Sequence, residues 1–227
     1  MVNYRLRSNP CHAVGSIGKS KASEMSFWTQ DEYEQFSKCI DKPASKLAFD
    51  ILFYSGIRVG ELLALTPADV LPNHKLDINK NFASVNGVEL FLLPKTDKSN
   101  RKVSIPAFLY DDIHFYISKL YGIEDCDRIF YFTKSTLEKD IKTYAERAGL
   151  KEIRVHDLRH SHVSMLINMD VNIKEISRRL GHESVKTTLD TYAHLYPDTD
   201  TELAGKLNEL RQPDQYPQLP KKDESDT

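Results

Sequence analysis

The chain has 227 residues, 40% of them hydrophobic and 28% charged, enough to bury a sizeable core in one large domain or in a domain with appendages. A formal charge of −2 gives no global signature for a polyanion, so a nucleic-acid partner has to be held by local basic patches. Cys11, Cys39 and Cys126 are widely spaced without a C-x-x-C pair, which argues against a disulfide framework or a cysteine zinc site. No apolar run reaches bilayer-spanning length, and a soluble chain in a reducing cytoplasm is expected.

Residues 1–25 are polar and basic, with Asn9-Pro10, Gly15 and Gly18, and read as a linker. Thr29, ahead of Asp31 and Glu32 and the apolar positions Tyr33, Phe36 and Ile40, marks a capped helix start. Pro43 opens a second helix over 44–55, with Leu47, Ile51 and Tyr54 on one face and Gly56 as its terminator. A short helical run follows almost at once, with Arg58 at the join. There an arginine either caps the preceding helix or shares an anion with the N–H groups of the next.

From 76 to 106 the pattern changes to period two. Segments 88–93 and 102–105 read as strands joined by the polar turn 95–100, with an earlier strand at 76–85. The turn is basic, since Lys95, Lys98, Arg101 and Lys102 face only Asp97. Helices resume at Leu109–Leu120 and Ser135–Ala148, the latter ending at Gly149. The expected architecture is α+β, mainly helical, with a small antiparallel three-stranded sheet. Leu203, Leu207 and Leu210 form a thin stripe on a last helix, and the proline-rich, charged segment 211–227 reads as disordered.

Five of the eight histidines fall between His156 and His194, on three short helical patterns. At about 100° per residue, Leu158, His162, Met165 and Met169 share one stripe, with His156, Arg159, His160 and Val163 roughly opposite. Such a helix buries one face and offers an imidazole and a guanidinium side by side on the other, a pairing suited to an anion. On spacing alone Tyr192, on the side of Val185 and Leu189, reads as a half-buried core residue. His162 falls on the core stripe and reads as a packed histidine, and neither it nor His160 is assigned to the site.

Two arginines, two histidines, a lysine in a loop and a tyrosine suit phosphodiester transfer to a tyrosyl nucleophile. Charge gathers on the non-bridging oxygens in the transition state, where guanidinium groups meet them with paired donors, and histidine and lysine move the protons. A covalent phosphotyrosine conserves the bond's energy, so rejoining requires no cofactor.

The segments SGIRVGELLAL, PKTDKSNRKVSIP, HDLRHSH and LGHESVKTTLDTYAH, in that order, resemble the catalytic domain of tyrosine recombinases, in particular phage and conjugative-transposon integrases. The resemblance spans roughly residues 25–210 and carries far more weight than any one motif. It implies a catalytic domain over 26–210, with 1–25 as the junction to a core-binding domain that lies outside this chain. Arg58 and Arg159 are then implied to clamp the scissile phosphate, Tyr192 to attack it, Lys95 to protonate the leaving 5′-oxygen, His156 to assist proton transfer at the tyrosine and His182 to bond the phosphate. Glu61 resembles the family's acid that orients these basic groups. Lys98 competes with Lys95 in the same turn, and Lys98, Arg101 and Lys102 are expected to touch DNA.

The implied partners are double-stranded DNA at element ends and target site, a homotetramer assembled on it from free monomers, and an accessory excision factor. No metal is called for. The competing readings are a catalytically inactive DNA-binding relic and a zinc hydrolase, because His156 and His160 mimic the spacing of H-E-x-x-H. Asp157 in place of the glutamate and Arg159 beside the metal weigh against the latter.

Overall fold

The computed structural model describes residues 25–85, 88–92 and 100–196, together with positions 204, 205, 207 and 208. Helix α1, Gln30–Lys38, starts at a reciprocal cap in which Glu32 N–H donates to Thr29 Oγ1 at 3.3 Å and Thr29 N–H donates to Glu32 Oε2 at 2.8 Å, satisfying two otherwise orphaned donors. Helix α2, Pro43–Ser55, carries its proline in the first turn and ends at Gly56 with φ 70°. A Cβ at that position would lie 2.3 Å from the His162 ring, so both the left-handed backbone and the packing require glycine.

Helix α3 is Val59–Ala64, followed by a 3-10 turn at Pro67–Asp69. Five strands come next: β1 Val70–Leu71, β2 Lys75–Ile78, β3 Asn81–Val85, β4 Val88–Leu92 and β5 Arg101–Ser104. Further helices are α4 Ala107–Lys119, α5 Lys134–Arg147, α6 Asp157–Asn168, α7 Ile173–Leu180 and α8 Val185–Tyr192, the last followed by a 3-10 turn at Ala193–Leu195. The α+β class and the small antiparallel sheet are as expected. The pairing of the strands is not.

The segment expected as one strand over 76–85 is two. β2 sits between β1 and β5 in a three-stranded sheet, while β3 pairs with β4 in a separate hairpin. Val103 therefore lies opposite Leu76, and Phe91 opposite Phe82, so the two strands expected to flank the basic turn do not pair with each other. Leu76, Ile78 and Phe82 are all buried and stay in period-two phase, which is why the segment looks continuous. The break is made elsewhere in the chain: Asn79 Nδ2 and Lys80 Nζ both donate to the Asp69 carboxylate, at 3.3 and 2.6 Å.

Two apolar clusters hold the helices. The larger contains Trp28, Tyr33, Phe36, Phe49 and Phe53, with the Tyr33 and Phe53 rings stacked at 3.7 Å. Burial of each such side chain stabilises by about 1.5–3 kcal/mol. Trp28 also ties the start of the domain to α6 and to the loop ahead of it, its backbone N–H donating to Ser161 Oγ at 2.9 Å and its indole N–H to Lys151 O at 3.1 Å. The smaller cluster is Val163, Ile167, Ile176, Leu180 and Tyr192, with Met25, Leu166, Val171 and Leu195 packed against it.

Helix α6 lies between the two clusters, with Leu158 in the first and Val163 in the second. This corrects the expectation of one buried and one open face: Arg159 is 4% exposed and Val163 0%, whereas Met169, expected in the core, is 65% exposed. On α8 the side that turns inward carries Thr188 and Tyr192, and Leu189 is exposed. Leu207 is exposed. Leu203, Leu210 and the segments 1–24 and 211–227 lie outside the described residues, as do Lys95 and Lys98. Among the described residues no helix is long and apolar enough to cross a membrane.

Candidate active site

Arg58 stands at the N-terminus of α3, between the end of α2 and the helix that carries Glu61. Its backbone N–H donates to Glu61 Oε2 at 2.7 Å and its guanidinium to Oε1 at 2.9 Å. From the other side Arg101 donates to both oxygens of the same carboxylate, at 3.0 and 2.8 Å. Burial pushes the Glu61 carboxyl up, but the bonds from Arg101 and the charge of Arg58 outweigh it and hold the group below its ordinary value. Glu61 thus fixes two arginines at once. The Arg58 side chain remains 38% exposed, open to an incoming anion.

Arg101 was expected at a basic tip in contact with DNA. The structure places it inside instead, with its side chain 7% exposed and its Nε donating to Arg179 O at 2.8 Å. It reaches this position by crossing Gly181, whose φ is +65° and where a Cβ would meet Arg101 Cδ at 3.0 Å. Lys102, its neighbour on β5, is exposed.

Arg159 is carried by the first turn of α6 and is buried. Its guanidinium donates to Gly56 O and to Leu180 O, each at 2.7 Å, so it joins the end of α2 to the end of α7. Burial, then the charge of Arg58, lowers its pKa to about 9, still well above neutrality. Both acceptors are uncharged carbonyls, so these two bonds orient the guanidinium without neutralising it.

The four histidines of this region divide by environment. His182, just past α7, bonds Thr188 Oγ1 through Nδ1 at 2.8 Å, and burial together with Arg159, Arg58 and Arg101 pushes it down to about 4. His156 precedes α6 and is exposed; partial desolvation and the nearby Arg159 lower its pKa. His162 is fully buried between Phe53 O, 2.6 Å from Nδ1, and the Arg179 guanidinium, whose Nε donates to Nε2 at 2.9 Å. The carbonyl can only accept and the guanidinium only donate, so the ring is neutral with its proton on Nδ1. Burial, then Arg179, pushes its pKa down to about 3. Its assignment as a packing histidine holds.

The fourth histidine is one that sequence reasoning set aside. Tyr192 ends α8 with 2% exposure, and its hydroxyl lies 2.7 Å from Nδ1 of His160. Burial raises the Tyr192 pKa to about 12, against a lowering by Arg159. Burial and the neighbouring His156 push His160 down to about 4. His156, expected nearest the tyrosine, sits one turn back with its ring edge-on to His160 at 5.4 Å. The available signal was the i, i+4 spacing of the two histidines, which puts both rings on the side of α6 where α8 docks.

Arg179 was missed entirely. It donates to Ser104 O and Tyr54 O, both at 2.9 Å, as well as to His162, and so welds α7 to β5 and to the end of α2. For the zinc reading, no group of three or more His, Cys, Asp or Glu side chains among the described residues is placed to hold a metal.

The geometry therefore gathers Arg58, Glu61, Arg101, Arg159, His156, His160, His182 and Tyr192 from α3, β5, α6, α8 and their flanking turns into one cationic site around a buried tyrosine. Residues 26–198 match the sequence profile of the phage integrase family. The chain belongs to that family.

Among phage integrase relatives, the ICEBs1 integrase of Bacillus subtilis strain 168 is 33% identical over 221 residues, covering 90% of this chain and 60% of that protein. The integrase of Staphylococcus phage L54a is 33% identical over 181 residues, covering 72% of this chain and 51% of that one. The chain thus spans roughly half to three-fifths of the length of these integrases. In fold it is similar to the Tn1549 transposon integrase solved in complex with a circular intermediate DNA, with a TM-score of 0.73 at 20% identity, over 85% of this chain and 68% of that one. It is similar also to the catalytic domain of bacteriophage HP1 integrase, with a TM-score of 0.58 at 23% identity, over 85% of this chain and all of that domain.

Proposed function

We propose that this integrase-family chain, over residues 26–210, is the catalytic part of a site-specific DNA recombinase that cuts and rejoins strands through a 3′-phosphotyrosyl link, for integration and excision of a mobile element. The observation that carries this reading is the setting of Tyr192: a buried hydroxyl, bonded to a histidine and within the field of Arg159. Arg58 and Arg159 bind the non-bridging oxygens of the scissile phosphate, and His182, turned toward the same charges, adds a hydrogen bond. Glu61 positions Arg58. Lys95, or Lys98, supplies the proton to the leaving 5′-oxygen, and His156 belongs to the proton path at the tyrosine. Lys102 meets the DNA backbone.

The substrate is double-stranded DNA at the element's ends and at its target. The solved complex of the Tn1549 integrase with circular intermediate DNA supports that choice by likeness of fold. The working form is a homotetramer on DNA built from protomers that are mainly monomeric when free, assisted in excision by an accessory factor.

The test is incubation with a suicide duplex carrying an element end, followed by a denaturing gel. The wild-type chain forms a covalent protein–DNA adduct. Tyr192→Phe, which loses only the nucleophilic oxygen, forms none while keeping its fold and its DNA affinity. Adduct in that variant would move the nucleophile to another residue.

A further inference from the structure

The geometry points to His160 as the group that takes the Tyr192 proton while the tyrosine oxygen attacks phosphorus, a role that rests on the reading of Tyr192 as the nucleophile. Three observations carry it. Tyr192 is buried, so water has little access to its hydroxyl, and the partner in reach is Nδ1 of His160 at 2.7 Å. His160 is fixed on α6 immediately after Arg159, so the proton acceptor and a phosphate ligand occupy successive residues of one rigid element. The ring also borders an open hollow lined by Glu138, Glu152, Arg154 and Asp157, through which an accepted proton can reach water.

The electrostatics fit this role. The groups facing His160 are His156, Asp157, Arg159 and Arg154 from α6 and the turn before it, Tyr192 from α8, and Glu138 and Glu152 across the hollow. Burial, His156, Arg159 and Arg154 outweigh Asp157 and leave the ring neutral at working pH, the form able to accept. Burial raises the tyrosine and lowers the histidine, so the resting pair is a neutral phenol beside a neutral imidazole. The proton has to move as the oxygen–phosphorus bond forms, when the tyrosine oxygen loses its basicity.

In the cleavage step the Tyr192 oxygen–phosphorus bond forms and the phosphorus–O5′ bond breaks. The hydroxyl proton passes to Nδ1 of His160, which becomes an imidazolium, and the departing 5′-oxygen takes its own proton from Lys95 or Lys98. Rejoining reverses both transfers: the 5′-hydroxyl attacks phosphorus, the lysine recovers a proton, and the imidazolium returns the other to the leaving tyrosine oxygen. His156, edge-on to His160, then tunes the acceptor and does not itself touch the nucleophile.

The test uses the whole chain on the suicide duplex, with His160→Asn and His160→Ala. Asparagine keeps a hydrogen-bonding atom roughly where Nδ1 stood but cannot take a proton. Wild-type adduct formation is flat between about pH 6 and 9, whereas both variants fall by about 100-fold at pH 7 and climb about tenfold per pH unit as hydroxide takes over. A duplex with sulfur in the bridging 5′ position, a leaving group that needs no proton, restores neither. On the free wild-type protein, nitrogen NMR finds the His160 proton on Nε2.

Near wild-type cleavage by His160→Asn with a flat profile would reduce the histidine to a positioning residue and overturn the inference. Rescue by the bridging sulfur, or a proton found on Nδ1, would overturn it as well. Adduct formation by both variants leaves the nucleophile reading standing, whereas no adduct from the wild-type chain sinks both.

Discussion

Arg159 and Tyr192 belong to one cationic site but are held by different means. The arginine is bonded to two backbone carbonyls at helix ends, Gly56 O and Leu180 O, and its neighbours Arg58 and Arg101 are locked by one buried carboxylate. The tyrosine rests in a cluster of five buried side chains and one side-chain hydrogen bond. Of the eight residues of α8 only Thr188 and Tyr192 are buried, so little apolar burial offsets the backbone entropy lost in ordering that helix. The arginines are therefore fixed by hydrogen bonds to backbone and carboxylate, whereas α8 is held through two buried side chains. Preorganised donors lose nothing to rearrangement at the moment of reaction.

Arg159→Lys tests the arginine side with the largest expected effect. An ammonium cannot reach both carbonyls and still offer paired donors to a phosphate, so adduct formation should fall by roughly 100-fold or more. One carbonyl left without a donor should cost about 1–3 kcal/mol in a urea melt. Near-normal cleavage would mean that the clamp is assigned to the wrong residue.

Glu61→Gln comes next. It leaves Arg58 and Arg101 close together without their shared anion, and a stability loss of about 3–5 kcal/mol at neutral pH is expected from breaking a buried pair. The sign with pH follows from the depressed Glu61 carboxyl. Its contribution is fully present above the ordinary value of 4.5 and is lost as pH falls through the lower folded value. Urea melts at pH 7 and pH 3 should therefore show the gap between wild type and variant closing in acid. A gap that does not change with pH would show that the carboxylate's charge is not what holds the arginines.

The smallest effect is expected on the tyrosine side and sharpens the contrast most. Ile176→Ala removes a buried side chain from the small cluster at a local cost of about 2–4 kcal/mol. Amide exchange should quicken in α7 and α8 while α2 and α3 stay protected, with adduct formation down by about tenfold. Uniform quickening across all the helices would show that the two clusters unfold as one and that the nucleophile is held no more lightly than the clamp.

Local features of this fold were legible from the sequence because their causes are local. The Thr29 cap, the terminators Gly56 and Gly149, and the three short helices around the histidines follow from side chains within one turn of where they act. The pairing of β2 with β5 was not legible, because period-two alternation specifies a strand's faces and not its neighbour. Arg58, Arg159, His182 and Tyr192 stand out from their sequence motifs alone. The inward turn of Arg101, the weld made by Arg179 and the bond from Tyr192 to His160 all depend on how α7 and α8 dock against α6 and β5. That docking is written in contacts between distant residues.

The tripeptide Leu180-Gly181-His182 gathers several of these distant contacts at adjacent positions. The Leu180 side chain packs in the small cluster while its carbonyl receives Arg159. The missing side chain of Gly181 makes room for Arg101, and the His182 ring closes onto Thr188. Inserting or deleting a single residue here would put all of these partners out of step together, so the turn between α7 and α8 has no slack in length. Variation in chain length has to be absorbed elsewhere, for instance in the surface connection between α4 and α5, where Gly122 adopts its left-handed turn and a Cβ at that position would meet nothing within 4 Å.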